Sequence, residues 1–252
     1  MTMRVASLCR YPIKSHGRER IEQVTLSAGK TMPWDRMWAV THEATKFDTV
    51  SPTWASCRNF MRGAGTPGLA AISATLIEET RTVTLSHPDL DDITFRPDDA
   101  ADVVRFLAWV APLCSDDRAG PRDLVSAPEQ GMTDSQFPSI SIMNVASHDA
   151  VADAMQTPFD IERWRGNIWL EGLPAWAEMD WIGRDLRIGD AILRIRERIQ
   201  RCSLTNANPT TGVRDTDTLG ALNTHFGHQD FGINAEVVTS GPLTTGAPAE
   251  LI

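Results

Sequence analysis

Cysteine is scarce and scattered: Cys9, Cys57, Cys114 and Cys202 are the four in 252 residues, and no two share a CxxC spacing. That excludes a zinc ribbon or an iron–sulfur cluster of the usual local type, and it points to free thiols in a reducing compartment. The histidines His16, His42, His87, His148, His225 and His228 form no HxH, HxxxH or HExxH pair. His225 and His228 stand three apart but have no cysteine or acid of metal-site type beside them. P-loop and GxSxG patterns are missing, as are internal repeats and low-complexity tracts. No apolar run approaches membrane-spanning length, and the opening MTMRVASLCRYPIK lacks the apolar core of a signal peptide, so a cytoplasmic location with no membrane partner is expected. Lysine is rare too: Lys14, Lys30 and Lys46 are the only three among 24 basic residues. Arginine suits planar, bidentate recognition of oxyanions, so the place of each one matters. A net charge of −9 argues against a nucleic-acid partner, whose contact surface is normally basic.

What is present is β-rich. The length fits one large domain or two intimate smaller ones, and 42% hydrophobic residues is ordinary for a globular chain. Strands are expected at Arg4–Arg10, Arg36–Thr41, Leu69–Ile77 and Thr82–Ser86, the last two forming a hairpin across Glu78–Arg81. A helix follows Arg96-Pro97, capped by Asp98 or Asp99, with Val103, Phe106, Leu107 and Val110 on its apolar face until Pro112. The polar stretch 115–122 is a natural boundary between domains at 1–114 and 120–252. Beyond it a strand is expected at Asp123–Ala127, a loop at Pro128–Gln136 and a strand at Pro138–Met143. A helix capped by Ser147 runs towards Pro158. Strands follow at Gly166–Leu170, Leu186–Ile188, Ala191–Ile195 and Gly232–Thr239, with a short helix at Thr216–Phe226. Many short strands with few helices predict a mainly β (α+β) fold of two closed or nearly closed β-barrels.

Three clusters can carry chemistry. In RIRERIQRCSLTNANPTTG, Arg194, Arg196 and Arg198 alternate towards Arg201-Cys202, and a tight Asn-Pro-Thr-Thr-Gly turn follows. Positive charge favours a thiolate, which is a soft metal ligand or a nucleophile. Local sequence leaves this open against a buried structural cysteine. Cys9 and Cys114 read as packing residues, and Cys57 has no pocket-forming context. In YPIKS, Pro12 breaks the first strand and aims Lys14 and Ser15 off its end, a cation beside a hydroxyl. Asp35-Arg36 opens another strand as a surface pair. In RWRGNIWL, strand alternation would set Arg163, Arg165 and Asn167 on one face.

Taken in order, these clusters resemble the MOSC family together with its N-terminal β-barrel domain, and most of all the mitochondrial amidoxime-reducing component and its bacterial relatives. YPIKS, DRMW, RWRGNIWL, RC followed by NPTTG, and SGPLTTGAPAEL carry the likeness along nearly the whole chain. The resemblance implies a molybdenum–molybdopterin cofactor with Cys202 as metal ligand and catalytic residue. It further implies that Lys14, Ser15, Arg36, Arg165 and Asn167 hold the pterin and its phosphate, with Arg201 beside the metal. It attaches pyridoxal phosphate binding to the family as well. The implied activity is reduction of a small-molecule N-oxygenated compound. The chain stops at the closing strand without a ferredoxin-like extension, so electrons would come from an external donor protein. A sulfur carrier with a Cys202 persulfide and a non-enzymatic cofactor-binding protein are the alternatives. The Trp54–Gly68 stretch is longer and Gly-richer than the family's usual link, and Asn208 stands where an acid is expected before the proline.

Overall fold

The computed structural model describes residues 2–115, 117–126 and 130–252. The end of the expected strand at Ala127 and the start of the loop at Pro128 lie outside the described residues. The first strands are β1 (Arg4–Arg10), β2 (Ile13–Lys14), β3 (Glu19–Ile21), β4 (Gln23–Leu26) and β5 (Trp38–His42). A meander of β6 (Ser73–Ile77), β7 (Thr82–His87) and β8 (Leu90–Phe95) leads into helix α1 (Ala100–Val110) and strand β9 (Pro121–Ser126). The second half holds β10 (Ile140–Asn144), α2 (Val145–Met155), β11 (Ile168–Glu171), β12 (Asp185–Ile188) and β13 (Ala191–Gln200). It ends with α3 (Thr218–Ala221), β14 (Asp230–Thr239), β15 (Gly241–Thr244) and β16 (Ala249–Leu251).

One eight-stranded sheet runs β16-β12-β13-β14-β10-β11-β1-β3. Its pairs are antiparallel except β10–β11, and the crossover that a parallel pair requires is supplied by α2. The alternation in β13 explains the layering: Ala191, Leu193 and Ile195 are buried while Arg194 and Arg196 face water. Leu186, Ile140, Ile142, Ile168 and Ile233 join that core, each buried side chain contributing about 1.5–3 kcal/mol. The sheet is open rather than a closed barrel. Its ends meet only where residues 246–249 lie along the start of β1, with Gly246 N donating to Val5 O (2.8 Å) and Ala249 N to Met3 O (2.9 Å). No continuous ladder forms, because the contact is a single bridge between Arg4 and Pro248, and proline has no N–H to extend it.

A second core, with Trp38, Leu69, Val83, Phe95 and Phe106, fills the space between the β6–β7–β8 meander, the β2-β5-β9 sheet and α1. Strand pairing crosses the 115–122 connector: β1 lies on β11, β9 on β5 and β15 on β4. The chain therefore passes from one core to the other within five residues, at Arg10–Lys14, where Pro12 ends the β1 ladder.

Two expected elements differ. The segment Leu69–Ile77 begins as a 3-10 turn (Pro67–Ala71), and the strand starts only at Ser73, because the apolar run packs without a ladder until β7 is opposite it. Helix α2 is capped by Asn144, whose side chain accepts from Ala146 N (3.0 Å), and not by Ser147. Ser147 is one turn inside, buried, and donates to Glu178 (2.7 Å). Asp99 caps α1 as expected, accepting from Ala101 N and Asp102 N. No helix among the described residues is long and apolar enough to cross a membrane.

Candidate functional site

Lys14, Ser15, Arg36, Arg165, Asn167, Arg201 and Cys202 all line one cavity of about 320 Å³. Each lies at a strand end or in the turn beside it, so the ends of β2, β5, β11 and β13 deliver them to a common rim. Ser15 (φ 65°), Arg36 (φ 52°) and Arg165 (φ 53°) are held in the left-handed region. That conformation costs a non-glycine residue about 1–2 kcal/mol, and it persists only where surrounding contacts enforce it. For Arg165 it ends the 3-10 turn Ile161–Trp164, so Arg163, Arg165 and Asn167 are brought to the cavity by a turn and not by strand alternation. β11 starts only at Ile168.

Tyr11, the chain's single tyrosine, organises the centre. Its ring carries the Arg165 guanidinium at 4.1 Å and that of Arg36 at 4.8 Å, while its hydroxyl donates to Gly166 O (3.2 Å). Full burial pushes the phenol well above its ordinary range, so it remains a neutral donor. Asp35 is buried, not part of a surface pair: it accepts from Tyr11 N (2.9 Å) and from Arg36. Burial works against the charge of Arg36, yet Asp35 and Tyr11 more than offset it and raise its pKa.

Among the described residues the cavity wall carries six cations, Lys14, Arg36, Arg62, Arg163, Arg165 and Arg201, against one carboxylate, Asp134, in a protein of net charge −9. Lys14 Nζ is held by Met132 O (2.7 Å) and the exposed Asp134 (2.6 Å), and that pairing brings the Asp134 carboxyl below its usual range. Burial lowers Arg165 to about 10, with repulsion from Arg36 and Arg18 adding to it. Arg201 falls to about 10 as well, mainly through burial. Both keep an edge on the cavity and stay charged at neutral pH. Neither has a carboxylate partner among the described residues. Arg201 instead donates to Phe231 O (2.8 Å) and Trp164 O (2.8 Å), next to the stacked Trp164 and Phe231 rings. Arg163 is 5% exposed and paired with Asp215 (2.6 Å), yet its Nε has no hydrogen-bond partner among the described residues.

Asn167 is committed to the protein. Its Oδ1 accepts from Ser141 Oγ (2.8 Å) and Ser141 N (3.1 Å), and its Nδ2 donates to Cys9 O (3.1 Å), tying β11, β10 and β1 together. Asn167→Ala strands these buried groups, so a loss of about 2 kcal/mol or more is expected in urea denaturation. A variant as stable as wild type would show that water replaces the amide.

Cys202 lies two residues past the end of β13 and is the exposed cysteine; Cys9 is buried and its thiol is pushed up to about 11, chiefly by that burial. Arg194, Arg196 and Arg198 contribute no charge to it. They point outwards, to Asp185, Glu236 and Met179 O, and bulges in β13 after Ile195 and Arg198 turn the chain away. Cys57, by contrast, lines the cavity, as do Arg62, Gly63 and Ala64. The Gly-rich 54–68 stretch packs on the Cys202 turn. A Cβ on Gly63 would meet Leu204 at 2.4 Å, and one on Gly212 (φ 71°) would meet Gly68 Cα at 2.7 Å. No local pattern could reveal this, since the contact joins segments about 140 positions apart.

Residues 2–116 match the MOSC N-terminal beta barrel domain and residues 132–250 match the MOSC domain. The chain belongs to the MOSC family. MOSC domains are found in molybdenum-cofactor-binding proteins. This MOSC chain shares its fold with the YuaD protein from Bacillus subtilis at 14% identity and a TM-score of 0.50, covering 100% of this chain and 96% of that one. YiiM from Geobacillus stearothermophilus aligns over 45% of this chain and 53% of its own length (19% identity, TM-score 0.34). YiiM from Escherichia coli does so with the same coverage and identity and a TM-score of 0.35. No curated protein matches the MOSC chain in sequence.

Proposed function

We propose that the protein is a molybdenum-cofactor-dependent oxidoreductase that reduces N-oxygenated compounds, akin to the amidoxime-reducing components. The observation that carries this reading is an exposed thiol, Cys202, on a cavity walled, among the described residues, by six cations and one carboxylate. The residues fit the group. Among the described residues no cluster of three His, Cys, Asp or Glu could hold a metal by itself. A metal at Cys202 therefore needs most of its donors from a cofactor, and a pterin dithiolene provides them. The phosphate of that cofactor answers the two guanidiniums without a carboxylate partner and the unpartnered Arg163 Nε.

Bound there, the cofactor supplies two-electron oxygen-atom chemistry, the net reaction being R–NHOH + 2e⁻ + 2H⁺ → R–NH₂ + H₂O. The chain's own residues bind and orient. Cys202 offers a soft thiolate, Arg36 and Arg165 present guanidinium edges fixed by the Tyr11 ring, and Ser15 offers a hydroxyl. The Lys14–Asp134 pair pins the loop that carries Ser15. Electrons come from an external donor protein. Pyridoxal phosphate would need a disengaged lysine, and Lys14, the lysine on this cavity, is already held by Met132 and Asp134.

The test is elemental and pterin analysis after expression in a cofactor-competent host, with benzamidoxime turnover driven by a reduced viologen dye. About one molybdenum per chain is expected, as a single soft thiolate implies. Cyanide-labile sulfur without molybdenum would replace this reading with a Cys202 persulfide carrier. Cofactor without turnover would leave a binding protein. Arg165→Ala is expected to lower pterin occupancy, removing charge-assisted hydrogen bonds of about 1.5–3 kcal/mol. Unchanged pterin fluorescence in that variant would remove Arg165 from the cradle.

A further inference from the structure

One cation on the cavity wall is left over. Lys14, Arg36 and Arg163 are paired with Asp134, Asp35 and Asp215. Arg165 lies on Tyr11 and Arg201 on two carbonyl oxygens. Arg62 differs on both counts. Its side chain makes no hydrogen bond, ion pair or ring contact among the described residues, and it is exposed where the other five are buried or half-buried. Arg62 and Cys202 thus share the mouth of the cavity, while the remaining cations line its depth.

The backbone under Arg62 is fixed, which separates it from an ordinary surface arginine. Arg62 O accepts from Gly65 N (2.9 Å) and Thr66 N (2.9 Å), and Met61 N donates to Val40 O (2.7 Å). Next along the chain, Gly63 packs on Leu204, and Ala64 O accepts from Arg214 (2.7 Å) and from Ser203 Oγ (3.5 Å), the residue after Cys202. The guanidinium is therefore carried on a turn that is clamped to the Cys202 segment.

We infer that Arg62 selects a substrate bearing an oxyanion, a carboxylate or phosphate, at the end away from its reducible nitrogen. This rests on the proposed reduction at Cys202. A guanidinium is a planar fork matched to either oxyanion, and its charge stays fixed across the physiological range. Leu204 and Ile199 line the same cavity, so the body between nitrogen and anion is apolar. A small aromatic or heterocyclic N-hydroxylated acid fits this combination.

The test compares three probes, benzamidoxime, its 4-carboxylate and its 4-phosphonate, on the loaded wild type, Arg62→Ala, Arg62→Lys and Arg58→Ala. KM and kcat are measured with the viologen donor, and dissociation constants by calorimetry without reductant. Wild type should favour the anionic probes by about tenfold, the lower end for a charge-assisted hydrogen bond at a solvent-facing site. Arg62→Ala should abolish the preference in both KM and Kd, and Arg62→Lys, which keeps charge but loses the fork, should restore part of it. Arg58→Ala, a neighbouring exposed arginine off the cavity, should retain it. The better of the two anions identifies the carboxylate or phosphate source. No preference in wild type, or a preference that survives in Arg62→Ala, overturns the inference. Failure of the two proposals is separable. Absence of molybdenum with an Arg62-dependent Kd sinks only the reductase, whereas turnover without anion preference sinks only the role of Arg62.

Discussion

Cys202→Ser is expected to lower reduction of benzamidoxime by more than about a hundredfold, beyond the scale at which even the outer partners of a metal ligand act. A serine oxygen is harder and far more basic than a thiolate, so it alters the electron density at a metal even where the cofactor still binds. The variant should fold normally, because Cys202 is exposed and its side chain anchors no neighbouring element. It should also retain pterin, since the phosphate contacts are assigned to other residues of the cavity, Arg165 among them. Cys9→Ser and Cys114→Ser supply the contrast. Both thiols have their pKa raised by burial and lie off the cavity, so these changes should touch stability alone. Molybdenum, pterin and turnover measured together on the three variants settle the matter. Full activity of Cys202→Ser at normal metal content would end the assignment of Cys202 as ligand.

Acid should destabilise the protein through His16 by about 3 kcal/mol between pH 6.5 and 4. His16 is completely buried, and its Nδ1 lies 2.7 Å from Lys14 O, so Nδ1 carries the proton and Nε2 is left as a buried acceptor with no partner among the described residues. Burial, aided by nearby Arg165, brings its pKa from 6.5 down to about 4. Above pH 6.5 the ring is neutral folded or unfolded and imposes no cost. As pH falls, the unfolded chain takes up a proton that the folded state refuses until about pH 4, so stability is lost across that window. Glu178 works in the opposite direction, its pKa being raised by burial, whereas His148 follows His16. The quantity to measure is therefore a difference. In His16→Asn, an amide can still donate to Lys14 O but does not titrate, and its stability should fall less steeply with acid than that of wild type. Parallel curves from urea melts at pH 7, 6, 5 and 4 would remove His16 as the source. The same loop holds Lys14 and Ser15, so cofactor retention should weaken over the same range.

Several features were determined by the sequence alone, and each depends on residues within a few positions. Asp99 before an apolar 3.6-residue period makes α1, because its carboxylate satisfies the free amides of the first turn. Gly189-Asp190 between two alternating runs makes the β12–β13 hairpin. Cys202 just past a long strand and the positions of Lys14, Arg36 and Arg165 at strand ends were legible for the same reason. Ordered motifs along the whole chain then indicated the family. Four matters were decided only by the tertiary structure. β1 joins the large sheet while β2 leaves it, the barrel stays open at Pro248, Asn167 serves as a tie between strands, and Cys57 and Arg62 reach the Cys202 cavity. Each depends on atoms brought together from distant positions, where the free energy of packing, hydrogen bonding and charge pairing is set by the whole fold and leaves no local trace. Gly63 beside Leu204 and Gly212 against Gly68 show this most directly: the need for glycine arises from a neighbour that the surrounding sequence does not contain.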